Sequence, residues 1–267
     1  VNALQYYYSL STYSQGSIFC NGVTTEIVDV TNPITGRTWM DRNLGASRAA
    51  TSSTDADAYG DLYQWGRGAD GHQCRNSNTT STISNSDQPG HDDFILSGWR
   101  NPKNDSLWQG GNGINNPCPS GYRLPTKNEF EEERLSWSSD NAAGAISSPL
   151  RLPNAGGRNG GDGTFYPQNN GGGGEYWTST VSGNKAYRIS FWSLRASIIT
   201  GVRSMGLSVR CIKDPNLGYI HNENLDYNWY PGGETTSPIT IHPTSTTTYT
   251  VDVTNGSTTC QDSVVVT

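Results

Sequence analysis

The sequence has no run of about 18 apolar residues, the length a helix needs to cross a bilayer, so no membrane span is expected. It has no C-x-x-C pair either. Cys20, Cys74, Cys118, Cys211 and Cys260 stand far apart, which excludes the close spacing that zinc sites and thioredoxin-like centres use. Charge is scarce, at 16% of residues, and basic charge scarcer still, with 18 Lys and Arg against 24 Asp and Glu for a net charge of −6. Phosphate binding needs a basic surface, so a nucleic-acid partner is not expected. The chain opens on Val1 and shows no charged segment followed by an apolar stretch, so it is expected to be processed or a piece of something longer.

What is present argues for a folded chain. Only 33% of residues are hydrophobic, yet there are 8 Trp and 14 Tyr, whereas disordered chains are poor in aromatics and rich in charge. The 31 glycines predict many turns, and 267 residues give room for one large or two modest domains with a real core. The spread cysteines, the Asn-x-Ser/Thr sites at Asn78, Asn104 and Asn255, and the Ser/Thr/Asn/Gly-rich composition point to an extracellular or cell-surface setting.

Residues 1–24 are polar and Tyr-rich and read as an arm or the end of a preceding module. The pattern TEIVDVTNPITGRTWMDRNLGA predicts a strand over 27–30, a turn at Asn32-Pro33 with Gly36, and a second strand carrying Trp39. Tyr59, Leu62, Tyr63 and Trp65 fall at near-helical spacing and predict a short helix. Residues 66–117 predict long loops packed around Phe94, Trp99 and Trp108. In LPTKNEFEEERLSW, Thr126 precedes Glu129 by three residues, a capping box with acids in the early turns, which predicts a helix over 127–136 burying Phe130 and Leu135. The Gly-rich run 154–174 does not follow a strand and open a helix, so it reads as a turned loop and not a phosphate cradle. After 214 the chain is nearly free of Lys and Arg and turns to β-branched segments parted by Pro and Gly, as a small β-sandwich would.

One stretch, 176–213, stands apart. Its start alternates, with Tyr187, Ile189 and Phe191 on one face and Arg188, Ser190 and Trp192 on the other, and 207–211 alternates again. Between them WSLRASIITGVRSM shows no clean period. The expectation is scaffold strands flanking a displayed surface.

The motifs GRTWMDRNLGASRAATSSTDADAYGDLYQWGRGADGHQ (36–73), NPCPSGYRLPTKNEFEEERLSWSS (116–139) and YWTSTVSG…GLSVRCIKD (176–214) resemble the Fibrobacter-type major paralogous domain, a family similar to the formylglycine-generating-enzyme-like branch of the C-type lectin fold. The resemblance covers 25–214. The tail, 215–267, is similar to the Ig-like or PKD-like repeats of Bacteroidetes surface proteins. Together they imply an α+β, C-type-lectin-like domain with two helices, long loops and a small sheet, followed by an all-β Ig-like module. The implied role is binding or adhesion, not catalysis, toward a protein or glycan on another surface, with no cofactor required. The alternative from a different class is a structural subunit of a bacterial surface fibre or appendage that self-assembles with other subunits.

In members of that family diversified by retroelements, the segment before SVRC is crowded with Asn, Ser and Tyr. The positions resembling those here are Lys185, Arg188, Ser190, Trp192, Arg195, Ser197, Ile199, Thr200, Val202 and Met205. Their scatter is what adenine-directed mutagenesis would leave, so a retroelement-diversified receptor is a further alternative. These ten are the expected ligand-binding residues, with Trp192 and Arg195 supplying contact area. Competing with that, Trp192, Leu194, Ile198 and Ile199 read equally as core.

Asp55, Asp57 and Asp61 offer hard oxygen ligands for calcium, though solvated turn acids explain them as well. A disulfide is expected between Cys118 and Cys211 and a second between Cys20 and Cys74, which leaves Cys260 to a partner elsewhere. His72, His91, His221 and His242 are scattered, no Ser sits in a nucleophile elbow, and the glutamates of 129–133 read as a solvated helix face. Enzyme function is not expected.

Overall fold

The structure is a computed structural model that describes residues 13–166, 173–215, 226–236, 239–254 and 259–266. These fall into two compact units, one within Ser11–Leu217 and the other within Gly218–Thr267. The class is α+β: small, mostly antiparallel sheets with two helices.

In chain order the larger unit holds β1 (Asp29–Thr31), β2 (Thr38–Met40), β3 (Tyr63–Gln64), β4 (Thr79–Thr80), β5 (Phe94–Ile95), β6 (Tyr122–Arg123), α1 (Lys127–Leu135) and α2 (Ala142–Ser147). There follow β7 (Gly174–Ser182), β8 (Lys185–Phe191), β9 (Ala196–Val202), β10 (Gly206–Leu207) and β11 (Ile212–Lys213). The organising sheet is β7–β8–β9, antiparallel throughout. Period-2 alternation puts its two faces into different cores. Tyr176, Ile189, Phe191 and Ala196 pack with Trp39, Phe130 and Trp137, while Trp177 and Ala186 pack with Trp65, Trp108 and Leu207.

Helix α1 starts where its capping box places it. The Thr126 side chain accepts from the Glu129 N–H, and the Glu129 carboxylate accepts from the Thr126 N–H at 2.7 Å. Only some of the acids of α1 form the expected solvated face: Glu131 and Glu132 reach solvent. Glu129 and Glu133 are buried. Burial pushes the Glu129 carboxyl up, and the Arg123 guanidinium and the Thr126 N–H more than reverse this, leaving it at about 2. Glu133 accepts from Asn32 and Trp137. Leu135, expected inside, is 68% exposed, and Phe130 alone of that pair reaches the core. Helix α2 carries no sequence signal beyond Asn141, whose side chain accepts from Ala143 and Gly144 N–H groups.

The expected helix over Tyr59, Leu62, Tyr63 and Trp65 does not form; a single turn at Ala56–Ala58 stands before it. Distant backbone captures these residues instead. Asp61 N–H donates to Leu44 O, Leu62 N–H to Gln73 O and Trp65 N–H to Arg203 O, and β3 pairs with β10. Gly60 permits this at φ 66°, where a Cβ would lie 2.2 Å from Leu44 O. The β1–β2 hairpin forms with Val30 opposite Trp39, its first strand starting two residues later than expected and ending one later.

The loops of 66–117 are held by indole N–H groups as much as by apolar contact. Trp65 donates to Thr178 O, Trp99 to Trp65 O, Trp108 to Asn115 O and Trp177 to Tyr63 O, each at 2.7–2.9 Å. A buried indole thus supplies contact area and also donates to a backbone carbonyl, of a loop at Trp65 and Asn115 and of a strand at Thr178 and Tyr63. Cys20 bonds Cys74 and Cys118 bonds Cys211, the two expected pairs. The first ties the described part of the arm, 13–24, to the larger unit. Cys260 lies on a strand of the smaller unit, and its side chain is outside the described residues.

Two further expectations are corrected. The irregular run 192–205 contains a regular strand, β9, in register with β8 from Phe191↔Ala196 to Lys185↔Val202. The strand expected over 207–211 is split: β10 ends at Leu207 and β11 begins at Ile212, while Ser208 N–H donates to Glu175 O and Leu44 N–H to Val209 O. Within 154–174 most described glycines are packed, Gly157 against Tyr166 and Leu207, while Gly161 is exposed; 167–172 lie outside the described residues.

The smaller unit is one antiparallel sheet, β12 (Asp226–Tyr230), β13 (Thr247–Thr254) and β14 (Thr259–Val266). Trp229 and Val251 are register partners and both buried. Among the described residues no second sheet faces it, as a sandwich would require.

Candidate functional site

The turn between β7 and β8 is a two-residue Gly183-Asn184 connection with Gly183 at φ 53°, which brings Asn184 and Lys185 to the end of the sheet. Lys185 stands opposite Val202, so the last residue of β9 arrives at the same place. From there the chain continues inward through Arg203 and Ser204, both buried.

These residues form one wall of a cleft of about 430 Å³. The second wall is the loop carrying Ser97, Gly98, Trp99, Arg100, Lys103, Asn104 and Leu107, and the third is the turn Asn159, Gly160 and Gly161, with Trp65 beneath. The volume lies within the range of small-molecule sites, about 300–1,000 Å³. Each wall is tied to the others. Ser97 N–H donates to Gly160 O at 2.5 Å. Arg203 lies over the Trp65 ring at 4.5 Å and donates to Asp105 at 2.6 Å, to Gly183 O at 2.9 Å and to Asn104 O at 3.3 Å. One residue therefore joins the sheet, the hairpin turn and the loop. Gly160 sits so near Ser204 that a Cβ would lie 2.3 Å from its Oγ, so the third wall closes only with glycine there.

The lining contains Arg100, Lys103, Lys185 and Arg203 and no Asp or Glu. Arg100 lies 2.6 Å from Asp87, and Arg203 is bound by Asp105. Lys103 and Lys185 are exposed and have no acidic partner among the described residues. A chain of net charge −6 thus gathers cations at one concave place.

The ten residues expected to form one surface are divided among the cleft, the far turn and both faces of the sheet. Lys185 and Val202 line the cleft. Trp192 and Arg195 sit at the opposite end of β8 and β9, where Trp192 N–H donates to Arg195 O and the guanidinium lies 4.8 Å over the indole. Seven residues of β8 separate the two ends, about 20 Å of strand. Arg188, Ser190, Ser197 and Ile199 share one sheet face, where Glu175 accepts from Arg188 and Ser190. Thr200 faces the other way, opposite Tyr187, whose ring lies 4.6 Å from Lys127 Nζ. Ser190 and Met205 are buried, so neither presents a side chain to a ligand. They are withdrawn because Ser190 is engaged by Glu175 and Met205 is packed against Gly201.

The three aspartates do not converge. Asp55 is bound by Arg48 at 2.9 Å and by the Thr51 N–H and hydroxyl, an arrangement that holds its carboxyl well below the usual range. Asp57 approaches the same Arg48. Asp61 is buried against Gly45, and burial pushes its carboxyl up to about 7, with Arg75 opposing. Among the described residues no group of three or more His, Cys, Asp or Glu is placed to hold a metal ion.

His72 and Asp70 form a pair that resembles an acid–base dyad, with Nδ1 2.5 Å from the carboxylate. Its geometry is structural. Nε2 accepts from the Gln64 N–H at 2.9 Å, the ring is fully buried, and burial and Arg67 bring its pKa down to about 4. No nitrogen is left to exchange a proton with a substrate. The SVRC motif is likewise internal: Arg210 is fully buried and donates to Asn43, Met40 O and Leu150 O.

Sequence reasoning missed Arg100, Lys103, Asn184 and Arg203. The first two lie in a loop without periodicity, and no local pattern links 100–103 to 184–185 or 203. No family model, curated protein or solved structure matches the chain.

Proposed function

We propose that the chain is a non-enzymatic binding module of an extracellular, surface-attached protein, adhesive in role, built on a C-type-lectin-like scaffold and followed by an Ig-like module. Its recognition surface is the cleft at the Lys185 end of the β8–β9 hairpin. The observation that carries this reading is the meeting of three segments distant in sequence around one concavity, braced by Arg203 and rimmed by ammonium groups without an acidic partner among the described residues. Pre-formed walls spare a ligand the cost of ordering them. The two disulfides support an oxidising setting.

The test compares two variants in a screen against immobilised proteins and glycans. Lys103→Glu/Lys185→Glu alters the cleft, and Trp192→Ala/Arg195→Ala alters the far turn. Hits lost by the first and kept by the second support the cleft; the reverse pattern removes it.

A structural subunit is the second reading, favoured by Leu194, which is 84% exposed at the tip of the far turn. It requires an assembly in solution that Leu194→Ser dissolves, and a monomeric wild-type protein at high concentration rules against it. Diversification by a retroelement is supported by the exposure or partial exposure of all the scattered positions except Ser190 and Met205. A template repeat and a reverse transcriptase beside the encoding locus would establish it.

A further inference from the structure

We infer that the ligand of this cleft is an acidic saccharide, bearing carboxylate or sulfate groups; the inference rests on the cleft being the recognition site. Lys103 and Lys185 rim it as exposed cations, without an acidic partner among the described residues. The absence of Asp and Glu from the lining matters, because a cleft built for a cationic or neutral ligand has no reason to exclude them on a chain of net charge −6. Anion binding here uses charge that the fold has left unspent.

The remaining polar lining suits hydroxyl groups. Asn184 carries a side-chain amide with no partner among the described residues, and Asn159 keeps its Nδ2 while its Oδ1 accepts from the Gly161 N–H, groups that suit a sugar hydroxyl; Asn104 is held in the wall, donating to Asp87 and accepting from Ser106. Asn159 and Asn184 come from two different walls, so a polyhydroxylated ring is met from two sides at once. Gly98 and Gly161 leave backbone open where a ring would lie close. An acidic peptide offers carboxylates with few hydroxyls, so it would satisfy the lysines and leave the amides to water. Arg203 is already bound to Asp105, Gly183 and Asn104, and its part is to hold the walls in place, with the lysines as the exchangeable contacts.

The experiment measures binding of the full chain to a panel of sulfated oligosaccharides, uronic-acid oligosaccharides, their neutral parents and a poly-glutamate peptide. Each is measured for wild type, Lys185→Arg, Lys103→Glu/Lys185→Glu and Trp192→Ala/Arg195→Ala. Thermal melting of each variant checks that it is folded. The expected result is binding of the acidic saccharides alone and weakening with salt. Affinity should fall about tenfold or more in the double Glu variant, the worth of a charge-assisted hydrogen bond, fall less in Lys185→Arg, which keeps the charge, and stay near wild type in the far-turn variant. Neutral saccharides or poly-glutamate binding through the cleft, without acidic saccharides, overturn the ligand class and leave the cleft standing. Acidic saccharides lost only in the far-turn variant overturn the cleft itself. No binding of any acidic saccharide by folded wild-type protein overturns the inference.

Discussion

Arg67 and Lys185 are cations of the same unit in opposite situations. Arg67 is fully buried, and all five of its N–H groups are used, by Asp70 twice, by Gln64 and by the carbonyls of His91 and Asp93. Burial draws the pKa of this guanidinium down, and Asp70 holds against it. Lys185 stands exposed at the rim of a concavity with no acid opposite it among the described residues. A buried charge survives only when its donors are matched, so a completed network marks structure. A hydrated cation at a cleft can trade water for a ligand, so the incomplete arrangement marks the site. The difference is one of satisfaction more than of charge.

The comparison breaks most visibly at Arg67. Arg67→Leu should cost about 3–5 kcal/mol, because Asp70 loses its cation and two loop carbonyls lose their donor. Urea unfolding reads this, and a loss below about 1 kcal/mol would mean that the interior network is dispensable.

A pH experiment probes the same interior. Between pH 4 and 6.5 the buried His72, at about 4 in place of 6.5, lacks a proton that the unfolded chain binds, so it makes stability fall as pH falls. The buried Asp61, at about 7 in place of 3.8, holds a proton that the unfolded chain releases, so it makes stability fall as pH rises. Each slope is about 1.4 kcal/mol per pH unit, and the two oppose each other. These two contributions therefore offset each other in wild type, with the raised Glu133 carboxyl adding to the Asp61 side. Asp61→Asn should lose about 3 kcal/mol more than wild type from pH 6.5 to 4, and a variant that keeps the wild-type pH dependence contradicts the assignment.

Smaller effects sharpen the contrast. Thr126→Ala removes one half of the capping box and should cost about 1 kcal/mol by chemical denaturation. Lys185→Glu should change stability by less than about 0.5 kcal/mol, because it touches no network, while weakening any ligand the cleft holds. A large stability loss there would place Lys185 with Arg67 and dissolve the distinction.

Local chemistry was legible in the sequence. Thr126 and Glu129 marked the start of α1, Gly36 the β1–β2 turn, and the alternation of 187–191 the faces of β8. What failed was set by contacts between distant residues. Tyr59, Leu62, Tyr63 and Trp65 have helical spacing, but Leu44, Gln73 and Arg203 capture their backbone. Strand β9 was hidden because the window that showed no period also contained the Trp192–Arg195 turn and the buried run 203–205. The glutamates of α1 looked solvated because nothing near them announces Arg123 and Asn32 as partners. Of the expected ligand residues only Lys185 and Val202 reach the cleft, since its other walls come from loops with no pattern to read.

The most direct test of the cleft as recognition surface is amide chemical-shift mapping of the isotope-labelled full chain during titration with a sulfated disaccharide. Saturable perturbations gathered at Lys103, Asn104, Asn159, Lys185 and Arg203, with Trp192 to Arg195 unmoved, are the predicted result. Perturbations centred on Trp192, Leu194 and Arg195, with the cleft silent, would contradict it.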